Sequence, residues 1–308
     1  MPKHLIVNAD DLGISVSTNL AIGRAHRQGV VTSASLMANM PALDHAAERV
    51  LRPNPGLGVG VHLCLTSGRP VLDPRALPLL TRRDGSFAHG FLGLVRLLCT
   101  GRRAEALAEI EREWRAQAGR IDALGFPVDH VDSHQHVYMI PALFPLAAAL
   151  AGARRAVIRV AHEPLGPLLR HPARLARALG SGGLLKKVIL SCLAGTIRRP
   201  LAPADAVHYF GVLDSGRMTL DVLRRIARSL PKGVSEVNLH PGLPACLDEG
   251  LDCSPADRRF LRRPGRAAEL EAVLHPALRA DLRDAGIRLV RFSDVFDLPA
   301  LRRTAAAT

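Results

Sequence analysis

The sequence predicts an α/β fold: a distorted parallel (β/α) barrel, TIM-barrel-like, in a single domain spanning residues 1–308. Two observations carry that prediction. Apolar runs of strand length alternate with stretches of helical periodicity, and parallel strands need such crossovers to return to the same end of a sheet. Four of the apolar runs also end in Asp or His, at the strand tips where α/β proteins collect reactive side chains. An open, doubly wound sheet is the alternative arrangement of the same elements.

Taken in order, strand-like runs fall near 4–9, 30–38, 57–64, 128–133, 156–160, 206–212, 234–240 and 287–292. Helical patterns fall near 15–28, 42–52, 103–124, 140–151, 219–230 and 266–285. The first helix has Ser15 and Ser17 as candidate N-caps and Gly29 as its stop. The helix at 103–124 repeats Ala106, Ile110, Trp114 and Ile121 at helical spacing, with Glu105, Glu109, Glu111 and Glu113 expected outside. Two insertions break the rhythm, one rich in Pro and Gly at 68–100 and one basic at 162–203. No repeat or low-complexity linker marks a domain boundary.

The first strand runs into Asp10 and Asp11. Adjacent strand residues point to opposite faces, so both carboxylates can serve one site only if the chain bends there. The third strand delivers His62, the fourth leads to Asp132, His134 and His136, and the seventh delivers His240. One imidazole on an apolar strand is ordinarily a core residue. Four such strand ends gathered at the mouth of a barrel are harder to explain as packing, and two imidazoles with one carboxylate form a common catalytic metal environment. On regular strand spacing His136 faces the same side as His134. Asp132 is placed to orient a ligand imidazole through its second N–H, and Arg159, ending the fifth strand, to contact substrate or Asp10. There is no GxSxG elbow and no GxxxxGK[ST] loop. The glycines at 56, 58 and 60 do not lead from a strand into a helix, which argues against a dinucleotide site.

Four strings, Asn8-Ala9-Asp10-Asp11-Leu12-Gly13, Gly60-Val61-His62-Leu63-Cys64-Leu65-Thr66, Val131-Asp132-Ser133-His134-Gln135-His136 and His240-Pro241-Gly242, occur in this order. Together they resemble the signatures of the YdjC-like carbohydrate deacetylases. The resemblance implies a metal-dependent deacetylase of N-acetylated amino sugars, with Asp11, His62 and His134 as metal ligands, Asp10 as general base and His240 as general acid. It is the resemblance that separates Asp10 from Asp11; the residues alone do not rank them. It also implies a divalent metal ion, Mg²⁺ or Zn²⁺. His136 remains a substrate contact, an outer partner or a further ligand. Two positions depart from the family pattern. Tyr138 stands where many members carry a further His, which puts the substrate side of the pocket in question, and Cys64 replaces a more usual Thr, Asn or Val.

The formal charge is +13, and ten basic residues against the single acid Glu163 fall between Arg154 and Ala204. Leucines are interspersed at helical spacing, so residues 165–200 are a candidate for peripheral contact with an anionic membrane, set against a packed or dimer-forming insertion. This favours a glycolipid substrate, such as an N-acetylglucosaminyl hopanoid, over a small soluble glycan. With one Trp and two Tyr, stacking along an extended sugar chain is disfavoured. A phosphoester hydrolase on the same barrel is an alternative. The charge also raises nucleic-acid binding, but no recognition motif accompanies it, and no specific nucleic acid is expected. The five cysteines form no CxxC pair, which fits reduced thiols. The start lacks a secretory signal pattern, and no apolar run is long enough to span a bilayer. The expected protein is a cytoplasmic homodimer, with the inner face of the membrane as the candidate docking surface.

Overall fold

The computed structural model describes residues 2–163, 190–193, 195, 197, 207–246 and 251–296. Most of the basic insertion, and with it most of residues 165–200, therefore lies outside the described residues. Strands form at each of the eight expected places: β1 (Lys3–Leu12), β2 (Ser33–Leu36), β3 (Gly58–Leu63), β4 (Val128–Ser133), β5 (Val157–Ile158), β6 (Val207–Phe210), β7 (Gly233–Leu239) and β8 (Ile287–Leu289). All pair in parallel in the order β5-β4-β3-β2-β1-β7-β6. The result is a curled, distorted parallel (β/α) barrel, in which β5 and β6 end the path without pairing each other among the described residues. β2 and β3 are buried along their whole length, which is why they read as continuous apolar or small-residue runs rather than alternating ones.

The eighth strand departs from regular barrel order. β7 pairs β1 from Lys3 to Ala9, so β8, which pairs Lys3–Leu5, must use the other edge of β1, below β2 at Asn8–Leu12. β7 and β1 thus meet directly. Their register sets Ala9 against Leu239, which brings the next residues, Asp10 and His240, to the same rim.

The helices are α1 (Val16–Gln28), α2 (Leu43–Ala46), α3 (Phe91–Leu98), α4 (Arg103–Asp122), α5 (Phe144–Arg154), α6 (Leu220–Ser229), α7 (Pro255–Leu261), α8 (Gly265–Leu274), α9 (Pro276–Asp284) and α10 (Phe292–Val295). Ser15 caps α1, its Oγ accepting from the Thr18 N–H at 3.1 Å. The single helix expected at 266–285 is two, α8 and α9. Pro276 has no N–H to continue the first and pushes His275 into extended backbone (ψ 123°). α2 ends early in a single π-helical turn, Ala47–Leu51, and the Pro/Gly-rich insertion contains α3.

Along α4, Ala106, Ile110, Trp114 and Ile121 are completely buried, as their spacing predicts. Glu109 and Glu113 are not outside: both are buried. Glu113 accepts the backbone N–H groups of Val71 and Leu72 at 2.8 and 3.1 Å, and Glu109 that of Leu79 at 3.0 Å. The insertion has little ladder of its own to satisfy these amides, and the two carboxylates replace it.

The glycines of β3 serve packing. A Cβ at Gly60 would lie 2.1 Å from Nε2 of His130, and one at Gly58 2.8 Å from Asp129 Oδ2. Only hydrogen at these positions leaves room for the buried Asp129–His130 pair of β4.

Candidate active site

β1 bends where the two carboxylates fall. Its register against β2 shifts between Ala9 and Leu12, and Asp11 has φ +69°. A non-glycine residue in that region costs of the order of 1–3 kcal/mol and persists where the surroundings enforce it. The bend turns both carboxylates onto one cavity of about 210 Å³, which His62, His134, His136 and His240 also line.

Asp11, His62 and His134 form a buried group with ligand atoms all within 4.8 Å of one another. Asp11 Oδ1 lies 3.6 Å from His62 Nε2 and 3.0 Å from His134 Nδ1. Two imidazoles and a carboxylate converging in this way suit a divalent cation in their donor chemistry. A second cluster, Asp10, His62 and Asp132, is also close enough. There, however, the guanidinium of Arg159 already holds both carboxylates, at 3.0 Å from Asp10 Oδ1 and 2.5 Å from Asp132 Oδ2. A second cation is disfavoured at that spot.

Asp10 is held from three sides. It accepts from both terminal nitrogens of Arg159, from Asn8 Nδ2 at 2.9 Å and from Asn238 Nδ2 at 2.9 Å. Burial alone would raise its pKa, but Arg159, then His62 and His240, hold the carboxyl well below the usual range, and it is ionised. Arg159 follows β5, is fully buried, and also pairs with Glu236 of β7 at 2.7 Å. His240 Nε2 stands 4.0 Å from Asp10 Oδ2, and the backbone N–H of His240 donates to Glu269 of α8 at 2.5 Å.

Asp132 meets the imidazole of His62, whose Nδ1 lies 2.7 Å from its Oδ1. Its other oxygen accepts from Ser35 Oγ at 2.7 Å. His136 is not related to His134 by strand period. β4 ends at Ser133, and Gln135 and His136 both take left-handed conformations (φ +54° and +57°) in a tight turn. That turn still brings His136 to the cavity, with its ring edge-on to Tyr209 at 6.3 Å. Tyr138 is completely buried, stacks on Phe144 and is not among the residues lining the cavity. Cys64 is likewise buried, and its backbone N–H donates to Gln117 of α4.

Several neighbours of this site have no role that their place in the sequence assigns. Asn8, Asn238 and Glu236 are polar residues within apolar strands, an available but weak signal. Arg266 is fully buried, 3.5 Å from Asp11 Oδ2. Asp257 contacts His134 from α7. The Ser254-Pro255-Ala256-Asp257 string marks a helix start, but not what the helix faces.

Charge pairing in this site has a consequence for stability. Burial disfavours the charged form of His62, yet Asp132, Asp10 and Asp11 raise it from 6.5 to about 9. His134 is also raised despite burial, by Asp257 and Asp11. Groups with raised folded-state pKa stabilise fully below the unfolded value and lose that contribution as pH rises through the folded one. Burial likewise pushes Glu236 and Glu269 up to about 7 from 4.5, against Arg159 in the first case and the amides of His240 and Met218 in the second. The metal-free protein is therefore expected to lose stability stepwise between pH 4.5 and 7 and again between 6.5 and 9. Denaturant midpoints measured across this range check it; a midpoint that rises with pH contradicts these assignments.

The family model described as YdjC-like protein matches residues 4–284. The chain belongs to the YdjC-like family. This YdjC-like chain is 46% identical over 292 residues to a carbohydrate deacetylase of Brevibacillus brevis, covering 94% of this chain and 99% of that one. It is 44% identical to a carbohydrate deacetylase of Geobacillus stearothermophilus, covering 97% and 100%. A chitooligosaccharide deacetylase of Enterobacter sp. (strain 638) is 34% identical, covering 96% and 100%. The YdjC-like fold also matches a solved structure from Enterococcus faecalis V583, with TM-score 0.65 at 23% identity over 96% of this chain and 99% of that one.

Proposed function

We propose that this protein is a metal-dependent hydrolase that removes the N-acetyl group from an N-acetylated amino sugar. The observation that carries the reading is the Asp11, His62 and His134 group beside an ionised Asp10 and His240, all on one cavity. The names of the relatives, carbohydrate and chitooligosaccharide deacetylases, support it.

Asp11, His62 and His134 would hold the cation. Bound Mg²⁺ or Zn²⁺ would supply Lewis acidity to the acetyl carbonyl and to the attacking water. Asp10 takes the proton of that water as its oxygen bonds to the acetyl carbon. Arg159, Asn8 and Asn238 keep Asp10 ionised and aimed, at some cost in basicity. As the C–N bond breaks, His240 in its protonated form donates to the departing amine, and acetate and free amino sugar result.

Acetate release from metal-replete protein, measured on a panel of N-acetylglucosamine, chitobiose and an N-acetylglucosaminyl glycolipid, tests the reading. Release from at least one is expected, and none from any overturns it. The glycolipid branch, with docking on the cytoplasmic face of the membrane, is the second reading. It rests on the basic and leucine-rich composition of residues 165–200 and on the scarcity of aromatic residues. Among the described residues no helix is long and apolar enough to cross a membrane. His240→Ala is expected to spare metal binding and to cost amide turnover about 10²–10⁴-fold. Turnover of an acetate ester with a good leaving group should fall less, since it needs less protonation. Equal losses on both substrates remove His240 from the acid role.

A further inference from the structure

The two imidazoles of the metal group are held in the same way. His62 turns Nε2 toward Asp11 and has Nδ1 on Asp132 Oδ1 at 2.7 Å. His134 turns Nδ1 toward Asp11 and has Nε2 on Asp257 Oδ1 at 3.0 Å. Each ring thus presents one nitrogen to Asp11 and gives the other to a buried carboxylate. We propose that Asp257 is the positioning residue for His134, fixing the tautomer that keeps the proton on Nε2 and leaves Nδ1 free to ligate. The proposal rests on the metal reading above and adds a residue to it.

The setting of Asp257 suits a fixed acceptor. Besides His134, Oδ1 receives Gln135 Nε2 at 3.4 Å, while Oδ2 receives Ser254 Oγ at 2.5 Å. Ser254 Oγ in turn accepts the Asp257 N–H at 3.1 Å, and the Ser254 N–H donates to Ser67 Oγ at 3.0 Å. Both carboxylate oxygens are therefore engaged, and the start of α7 is pinned to the loop that follows β3. A carboxylate so committed serves better as a partner of the ring than as another ligand. Ligand histidines are oriented this way in metal sites generally, and loss of the outer partner typically weakens metal affinity about 10–100-fold.

The pairing also accounts for the left-handed turn at Gln135 and His136. It follows directly on β4, which ends at Ser133, and lets Gln135 turn back onto the same carboxylate. Asp257→Asn is an informative change because it is nearly isosteric. An asparagine amide can donate to Nε2, which would move the ring proton to Nδ1, the side facing Asp11.

The experiment combines histidine ¹⁵N NMR with Zn²⁺ titration. In Zn²⁺-loaded wild-type protein the expected ring proton is on Nδ1 of His62 and on Nε2 of His134. Asp257→Asn should bind Zn²⁺ about 10–100-fold more weakly in competition with a chelator, with its thermal transition retained. Should Asp257→Asn fail to fold, the wild-type tautomers decide the question alone. A proton on Nδ1 of His134, or unchanged Zn²⁺ affinity in Asp257→Asn, overturns the assignment while leaving the metal reading intact. A wild-type protein that takes up neither Zn²⁺ nor Mg²⁺ overturns both.

Discussion

Asp10→Asn is expected to retain the metal and lose turnover of an N-acetylated sugar by about 10²–10⁴-fold. The substitution keeps the shape of the side chain, but its amide sets an NH2 against one of the two Arg159 N–H donors and cannot take a proton from water. Asp10 is suited to this test because it is tied to Arg159, Asn8 and Asn238, whereas the imidazoles turn their inward nitrogens to Asp11. Elemental analysis should find the wild-type metal content. Substrate affinity should change far less than kcat, since the proton transfer belongs to the transition state. Retained turnover would remove Asp10 from the role of base. Loss of metal with loss of turnover would place Asp10 among the ligands instead.

His62→Ala is expected to abolish stoichiometric metal binding, and chelation of the wild-type protein should match its loss of activity. Electrophilic stabilisation by a bound cation is worth several kcal/mol, so turnover should fall by at least about 10²–10³-fold. Adding back Zn²⁺ or Mg²⁺ should restore the chelated wild type but not the variant. The variant also strips Asp132 of its imidazole while leaving it on Arg159 and Ser35, so the carboxylate stays paired and the fold should survive. Full metal content in folded His62→Ala would sink the ligand assignment.

How far each element could be read ahead follows from its physics. All eight strands were legible as short, largely apolar runs set between helical patterns, and most continuously so in β2 and β3, which are buried along their whole length. The N-cap of α1 and the inward stripe of α4 were legible for the same local reasons. Charge predicts exposure for Glu109 and Glu113. The structure buries them, since loop amides more than twenty residues away supply the compensating donors. The break between α8 and α9 was present as Pro276 but was outweighed by a helical pattern on both sides of it.

The site divides along the same line. Asp10, Asp11, His62, His134 and His240 stand at strand tips, so the alternation of strand and helix sufficed to gather them. Asp132 and Arg159 could be placed near them for the same reason. His136 could not be related to His134 by spacing, because the strand stops at Ser133 and a left-handed turn intervenes. Asp257 and Arg266 come from helices after the seventh strand, and each reaches a residue far away in sequence.

By itself, then, the sequence determined the succession of strands and helices and the side chains carried at each strand end. Both follow from local preferences, hydrophobic period and backbone stiffness, which act over a few residues. Only the tertiary structure decided that Asp10 faces Arg159 while Asp11 faces two imidazoles, and which nitrogen of each imidazole points inward. A buried polar group takes its orientation from the partners that satisfy it. Here those partners lie just after β5 and on β4, β7 and α7, up to 228 residues from the groups they hold.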